Sequence, residues 1–238
     1  DANLNLAGTG SSFEIRNGLT LNGTANLWGS GATLDFAGTQ TLGASPGQSA
    51  TVDMVPFNSV LRVIDGGTLT LDDTVTVSGE GYVSGYGAGN TVVNEGLIHA
   101  DHGSGYLRIT SETFTNTGTL RASGDGSLVL QNAWDNNGTI ELDEGRLYLY
   151  GDRATEDLNQ STLVREAGSY VYLAGSLDNT GDLLSQVGTI DFIGGSVTGG
   201  TSSVDFNATS NAAEFADGVT LDANLNLAGT GSSFEIRN

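Results

Sequence analysis

NEGLIHADHGSGYLRITSETFTNTGTLRASGDGSLVLQNAWDNNGTIELDEGRLYLY, residues Asn94–Tyr150, decides the fold. Three N-x-G-x-[LI] steps open at Asn94, Asn116 and Asn136, and apolar-x-apolar triplets begin at Leu107, Leu128 and Leu147. Both markers recur at intervals of 19 to 22 residues. Alternation with period 2 is the mark of a strand with one buried side. Within Gly126–Gln131, Leu128 and Leu130 therefore point inward and Val129 outward. A repeat of this length holds two or three short strands and their turns, with too little apolar surface for a core of its own. Stacked repeats bury the alternate side chains in one continuous interior and bond backbone to backbone along the stack. Asn and Gly supply the left-handed backbone angles that corners need.

The pattern extends outward in both directions. Further triplets begin at Phe13, Leu34, Leu61, Val83, Val171, Ile190, Ala213 and Phe234, and Asn179 opens a fourth N-x-G step. The widest interval, Leu34 to Leu61, contains GTQTLGASPGQSA and predicts a bulging loop or an irregular rung. Helical signals are almost absent; Asp152–Gln160 alone suits a turn or two. The prediction is an all-β, right-handed parallel β-solenoid, since parallel crossovers favour that hand, with about ten coils of about 22 residues. A longer identity frames it: Asp1–Asn17 and Asp222–Asn238 are the same seventeen residues, DANLNLAGTGSSFEIRN. Residues 1–221 thus read as one full unit of a tandem array and 222–238 as the first coil of the next. On that reading Phe13, Ile15, Phe234 and Ile236 all face inward.

Composition narrows function. Among 238 residues, 28 acids oppose 8 Lys+Arg, all of them Arg, for a net charge of −20 and a pI near 4.1. A nucleic-acid partner needs a basic face, and an anionic bilayer would repel this chain. No apolar stretch is long enough for a membrane helix. Gly43–Gly47 (GASPG) matches the G-x-S-x-G of hydrolases, but that elbow must lead into a helix, and Pro46 suits a loop. His99 and His102 are the two histidines, too few for a zinc site without carboxylates. Threonine pairs at Thr39–Thr41, Thr68–Thr70 and Thr74–Thr76 share no single register in this alignment, which argues against an ice-binding lattice. Asn22, Asn137, Asn159 and Asn207 begin Asn-x-Ser/Thr sites, a match that arises by chance in such a composition.

The N-x-G-x-[LI] and G-x-[apolar]-x-[apolar] steps resemble those of extracellular right-handed β-helix proteins, the autotransporter passengers and filamentous-haemagglutinin-like surface proteins. The resemblance covers most of the chain and implies an extracellular or cell-surface stalk, adhesin or fibre. The expected role is a non-catalytic, shaft-forming repeat whose partner is itself, by continuation of coils and by lateral bundling. An adhesin repeat that binds a glycan is the alternative, and a polysaccharide-active β-helix enzyme is a second one.

Two outward features stand out in the triplet alignment. One column reads Arg108, Val129, Tyr148, Tyr172, Asp191 on successive coils, with Tyr150 and Tyr170 beside it. Tyr148, Tyr150, Tyr170, Tyr172 and Val129 make an apolar strip suited to bundling, to sugar rings or to a tyrosine ladder within the sheet. Continued, the column reads Asp191, Glu214, Glu235 and then Asp35, with Glu14 equivalent to Glu235. Carboxylates stacked about 4.8 Å apart repel. Either Arg16 (repeated as Arg237) and Arg62 lean over them, or Ca²⁺ bridges them through all-oxygen ligands; no other cofactor is expected.

Overall fold

The computed structural model describes residues 3–103, 105–158, 162–209, 212–229 and 231–237. Every pairing between strands is parallel, and each strand pairs with the strand one coil away. The chain is a parallel β-solenoid of about ten turns, and of the two or three strands per coil that the period allows it has three, which make three faces. The first face is an eight-stranded sheet running from Leu4–Asn5 to Leu163–Arg165, and the second an eleven-stranded sheet from Ser12–Ile15 to Leu225–Leu227. The third face is six-stranded from Leu19–Thr20 to Ala133–Asn136, and five-stranded from Asp152–Ala154 to Ser233–Ile236. The seam between its halves is bridged by the 3₁₀ turn Thr155–Leu158, where Asn136 Nδ2 donates to the Asp157 carbonyl at 3.0 Å. That turn falls in the stretch read as helical, whose last residues, 159 and 160, lie outside the described ones. A second 3₁₀ turn, Leu183–Gln186, was not anticipated.

Alternation builds the core. On the second face the inward column reads Leu34, Leu61, Val83, Ile109, Leu130, Leu149, Leu173, Phe192 and Ala208, all buried. The wide interval after Leu34 keeps its strands, Gln40–Gly43 and Ala50–Met54, and places its extra residues in the turn between them.

At the corner after the third face, Asn94, Asn116 and Asn136 turn inward, buried. Asn94 Nδ2 donates to Asn116 Oδ1 at 2.8 Å, and Asn116 Nδ2 to Asn136 Oδ1 at 2.7 Å. The glycine two residues on serves close approach rather than a left-handed angle. A Cβ on Gly118 would stand 2.2 Å from the Gly96 carbonyl oxygen, and one on Gly138 2.2 Å from that of Gly118.

Two expectations need correction. Val83 pairs with Ile109, not Leu107, because Gly81 occupies the inward place opposite Leu107. A Cβ there would lie 2.9 Å from Met54 Cε, so methionine fills the space a side chain would take. Nor do the seventeen shared residues stack alike. In the first copy Leu4–Asn5 lies on the first face and Ser12–Ile15 on the second. In the second copy Leu225–Leu227 lies on the second face and Ser233–Ile236 on the third. Ile15 is buried and Phe234 half-buried, but Phe13 is 45% and Ile236 73% exposed. Phe206–Ala208 supplies the rung on the second face that Ala213 was expected to fill, and this advances everything after it by one face.

Candidate interaction surface

The outward column of the second face, in true register, reads Ser12, Thr33, Val60, Tyr82, Arg108, Val129, Tyr148, Tyr172, Asp191, Asn207 and Asn226. Parallel pairing sets these side chains one strand spacing apart, so neighbouring rings stack. The Tyr148 and Tyr172 centroids are 4.6 Å apart with planes 18° from parallel. Tyr170 lies 6.0 Å from Tyr172, and Tyr106 lies 5.7 Å from Tyr148 at a tilt. The Arg108 guanidinium sits 4.4 Å from the Tyr106 centroid and 5.9 Å from that of Tyr82. Among the described residues its buried Nη1 has no hydrogen-bond partner. Burial first, then the neighbouring Tyr106 hydroxyl, pushes the Tyr148 phenol up to about 12. Burial and the nearby Asp191 carboxylate raise Tyr172 as well.

Of the residues expected in this strip, Tyr148, Tyr170 and Tyr172 form it. Tyr150 borders a depression of about 170 Å³ with Tyr106, Arg108, Val129, Gln131 and Tyr148. Val129 is corrected: it occupies the column but is only 4% exposed, in a depression walled by tyrosines, and offers no contact surface. Tyr106 and Tyr82 are additions. Tyr106 precedes its triplet as Tyr170 precedes Val171, a signal present in the sequence; Tyr82 was hidden by the slip at Gly81. Beyond Arg108 a hollow of about 210 Å³ is lined by Phe57, Glu80, Tyr82, Gly105, Tyr106 and Arg108, with His102 4.0 Å from Glu80.

The continuous acidic column does not exist. Asp191 is followed by Asn207, whose Nδ2 donates to it at 2.8 Å. Glu214 lies on the third face between Ser196 and Glu235. Asp35 neighbours Glu14 on the second face, two residues along from the tyrosine column. The five carboxylates therefore fall into three places, because the slip at Gly81 and the added rung at Phe206 move the columns apart. Arginines meet four of them. Arg62 grips buried Asp35 with two bonds of 2.8 and 2.9 Å, Arg16 pairs with Glu14 at 2.6 Å, and Arg237 reaches both Glu214 and Glu235. Among the described residues no three His, Cys, Asp or Glu gather as a metal site.

The remaining motifs resolve simply. GASPG follows the strand Gln40–Gly43 with turns and another strand, not a helix. His99 stacks outward on the first face, 2.8 Å from Ser123 Oγ, and burial lowers its pKa. Threonine registers better than expected: Thr24, Thr51 and Thr76 align on the first face, while Thr68, Thr91 and Thr113 align on the third. Leu97 and Ala133 break the two columns on the next coil. Of the Asn-x-Ser/Thr sites, Asn22 and Asn207 are engaged in hydrogen bonds between coils, and Asn159 lies outside the described residues. No family pattern, curated protein or solved structure matches the chain.

Proposed function

We propose that this chain is a shaft segment of an extracellular or cell-surface protein, a non-catalytic unit that sets length and stiffness. The observation that carries this reading is the unbroken eleven-stranded parallel sheet, whose inward column stays apolar from Leu34 to Ala208. Ten steps of about 4.8 Å give a rigid core about 48 Å long. Each coil contacts only its neighbours, so coils add length without new design. The net charge of −20 keeps neighbouring shafts apart in solution. Electron microscopy of this chain and of a two-unit tandem tests the reading. A straight rod that lengthens at constant width supports it; turnover of acidic or neutral polysaccharides by the purified chain would overturn it.

A second reading, glycan binding by an adhesin repeat, is favoured by one observation: Arg108 and the tyrosine rings border two adjoining hollows. Tyrosine faces suit the apolar side of a pyranose ring, and Glu80 beside Arg108 disfavours an anionic sugar. Calorimetric titration with neutral oligosaccharides, repeated on Tyr106→Ser, separates binding from a self-packed ladder.

A further inference from the structure

A second cluster, on the first face, lies apart from the tyrosine strip. His99 and Ser123 are 24 residues apart in sequence and sit on successive coils. His99 pairs with Arg121 and Ala100 with Ala122, so the outward imidazole reaches diagonally to the end of the next strand. Its Nε2 stands 2.8 Å from Ser123 Oγ. On the other side of the ring, Nδ1 stands 3.7 Å from Asp101 Oδ2. A base set between a hydroxyl and a carboxylate is the arrangement that activates a serine for attack.

The carboxylate favours the proton on Nδ1, which leaves the Nε2 lone pair facing the hydroxyl. At 3.7 Å it acts by charge rather than by a hydrogen bond, so it orients the ring loosely. Burial, with some help from Arg121, keeps the imidazole neutral and able to take a proton; Asp101, Glu141 and Asp143 pull the other way. Its neighbour on the coil below is the uncharged Ser78. Ser123 ends the strand Thr119–Ser123 and is half-buried, and the exposed Gly124 and Asp125, both at positive φ, make the turn after it.

That turn also limits the chemistry. The Gly124 N–H donates to the Asp143 carbonyl at 3.0 Å, and the Asp125 N–H to the Glu144 carbonyl at 3.2 Å. A developing oxyanion gains nothing from these two amides, and removal of one such donor slows acyl transfer about 100- to 1,000-fold. The site therefore suits esters with good leaving groups. Asp101, Asp125, Asp143 and Glu144, which surround the serine in sequence or across the coils, disfavour an anionic reagent.

We propose that Ser123, with His99 as its base and Asp101 as the residue that positions the base, is a self-acylation site for neutral activated esters. Ser123 Oγ bonds to the acyl carbon as the ester C–O bond breaks. His99 Nε2 takes the hydroxyl proton and passes it to the departing alkoxide, which leaves an O-acyl serine and a free alcohol. Without donors from the turn, that product is an ordinary alkyl ester and persists. One acyl group per chain is a modification rather than turnover, so the site goes beyond the shaft reading without altering it.

The test uses the whole chain and 4-nitrophenyl acetate at neutral pH, in a His102→Gln background that removes the exposed second imidazole. The expected result is one equivalent of nitrophenolate per chain, with the acetyl group on Ser123 by tandem mass spectrometry. Ser123→Ala should abolish the burst, and His99→Gln should slow it at least about 100-fold. Circular dichroism should be unchanged in both, because both side chains lie on the outer side of the sheet. Asp101→Asn should slow the burst less and lower the pH of its half-maximal rate, since Asp101 raises the imidazole pKa; a merely structural Asp101 would leave that pH unmoved. Acetyl spread evenly over several serines, or a burst that survives Ser123→Ala or His99→Gln, overturns the proposal. Release that continues past one equivalent overturns the persistent adduct.

Discussion

Replacing Asn116 should be the most informative single perturbation of the coil. Its amide accepts from Asn94 and donates to Asn136 in a buried corner, with the Gly118 and Thr139 carbonyls at 3.3 and 3.4 Å from the same nitrogen. Asn116→Leu keeps the branched outline and number of heavy atoms but removes both links. Asn94 Nδ2 retains the Gly96 and Thr119 carbonyls at 3.2 Å, so its loss is one net hydrogen bond, about 0.5–1.5 kcal/mol. Asn136 Oδ1 is left buried without that donor, which costs about 1–3 kcal/mol. The sum is roughly 2–4 kcal/mol. Asn116→Asp is worse near neutral pH, because a carboxylate oxygen would then face three acceptors.

Protonation restores one donor, so the folded state raises that carboxyl above its ordinary value of about 3.9. The folded state then holds more protons than the unfolded one above that pH, and stability falls as pH rises through the window. Asn116→Asp should therefore approach Asn116→Leu near about pH 4.5 and fall below it near about pH 7.5. Because coils in a solenoid can open locally, urea melts should be paired with hydrogen exchange at the Thr117–Thr119 amides. If Asn116→Leu is as stable as the parent, or the Asp–Leu gap ignores pH, the amide ladder does not hold this corner.

Other perturbations follow from the same geometry. Gly118→Ala would force a methyl to 2.2 Å from the Gly96 oxygen and should lower stability by about 1–3 kcal/mol or more, read as an earlier urea midpoint. Arg62→Gln strands buried Asp35 and should cost roughly 2–4 kcal/mol, while Arg62→Gln with Asp35→Asn recovers most of it; a double variant as weak as the single one would deny that the stranded charge is the cause. The Tyr148 phenol, held up to about 12 when folded against about 10 unfolded, keeps its proton longer in the fold, so stability should decline as pH rises from about 10 to 12, and Tyr148→Phe should flatten that decline in thermal melts. With four of the five carboxylates met by arginine, millimolar Ca²⁺ should leave the melting temperature unmoved relative to chelator at matched ionic strength. A shift abolished by Glu214→Gln and Glu235→Gln would restore a bridging role to that pair.

Inward positions could be read from sequence with little error, because period-2 alternation survives any slip of two residues. The triplet alignment set Val83 against Leu107 when the chain sets it against Ile109, yet all three point inward. Columns are less forgiving. Gly81 and Gly85 leave no apolar signal, so the outward register across them was lost, and with it Tyr82 beside Arg108 and the break between Asp35 and the tyrosine strip. The N-x-G steps were recognised as corners but not as a ladder of buried amides. One residue type at one offset in three successive coils was the available signal, since a primary amide can both accept from one neighbour and donate to the next.

The two copies of DANLNLAGTGSSFEIRN show why the rest could not be read. What those residues specify is local: Leu4 and Leu6 turn one way, Asn3 and Asn5 offer an acceptor on one edge and a donor on the other, and Gly10 makes the turn at positive φ. Nothing in that code names a face. The face is set by how many corners precede the segment, and the count changed because Phe206–Ala208 formed a rung only 16 residues after Ile190. A solenoid coil is thus defined by its two edges and its inside, and its angular position is inherited from the coil before. The same independence lets one segment serve two seats, Ser12–Ile15 on the second face and the identical Ser233–Ile236 on the third.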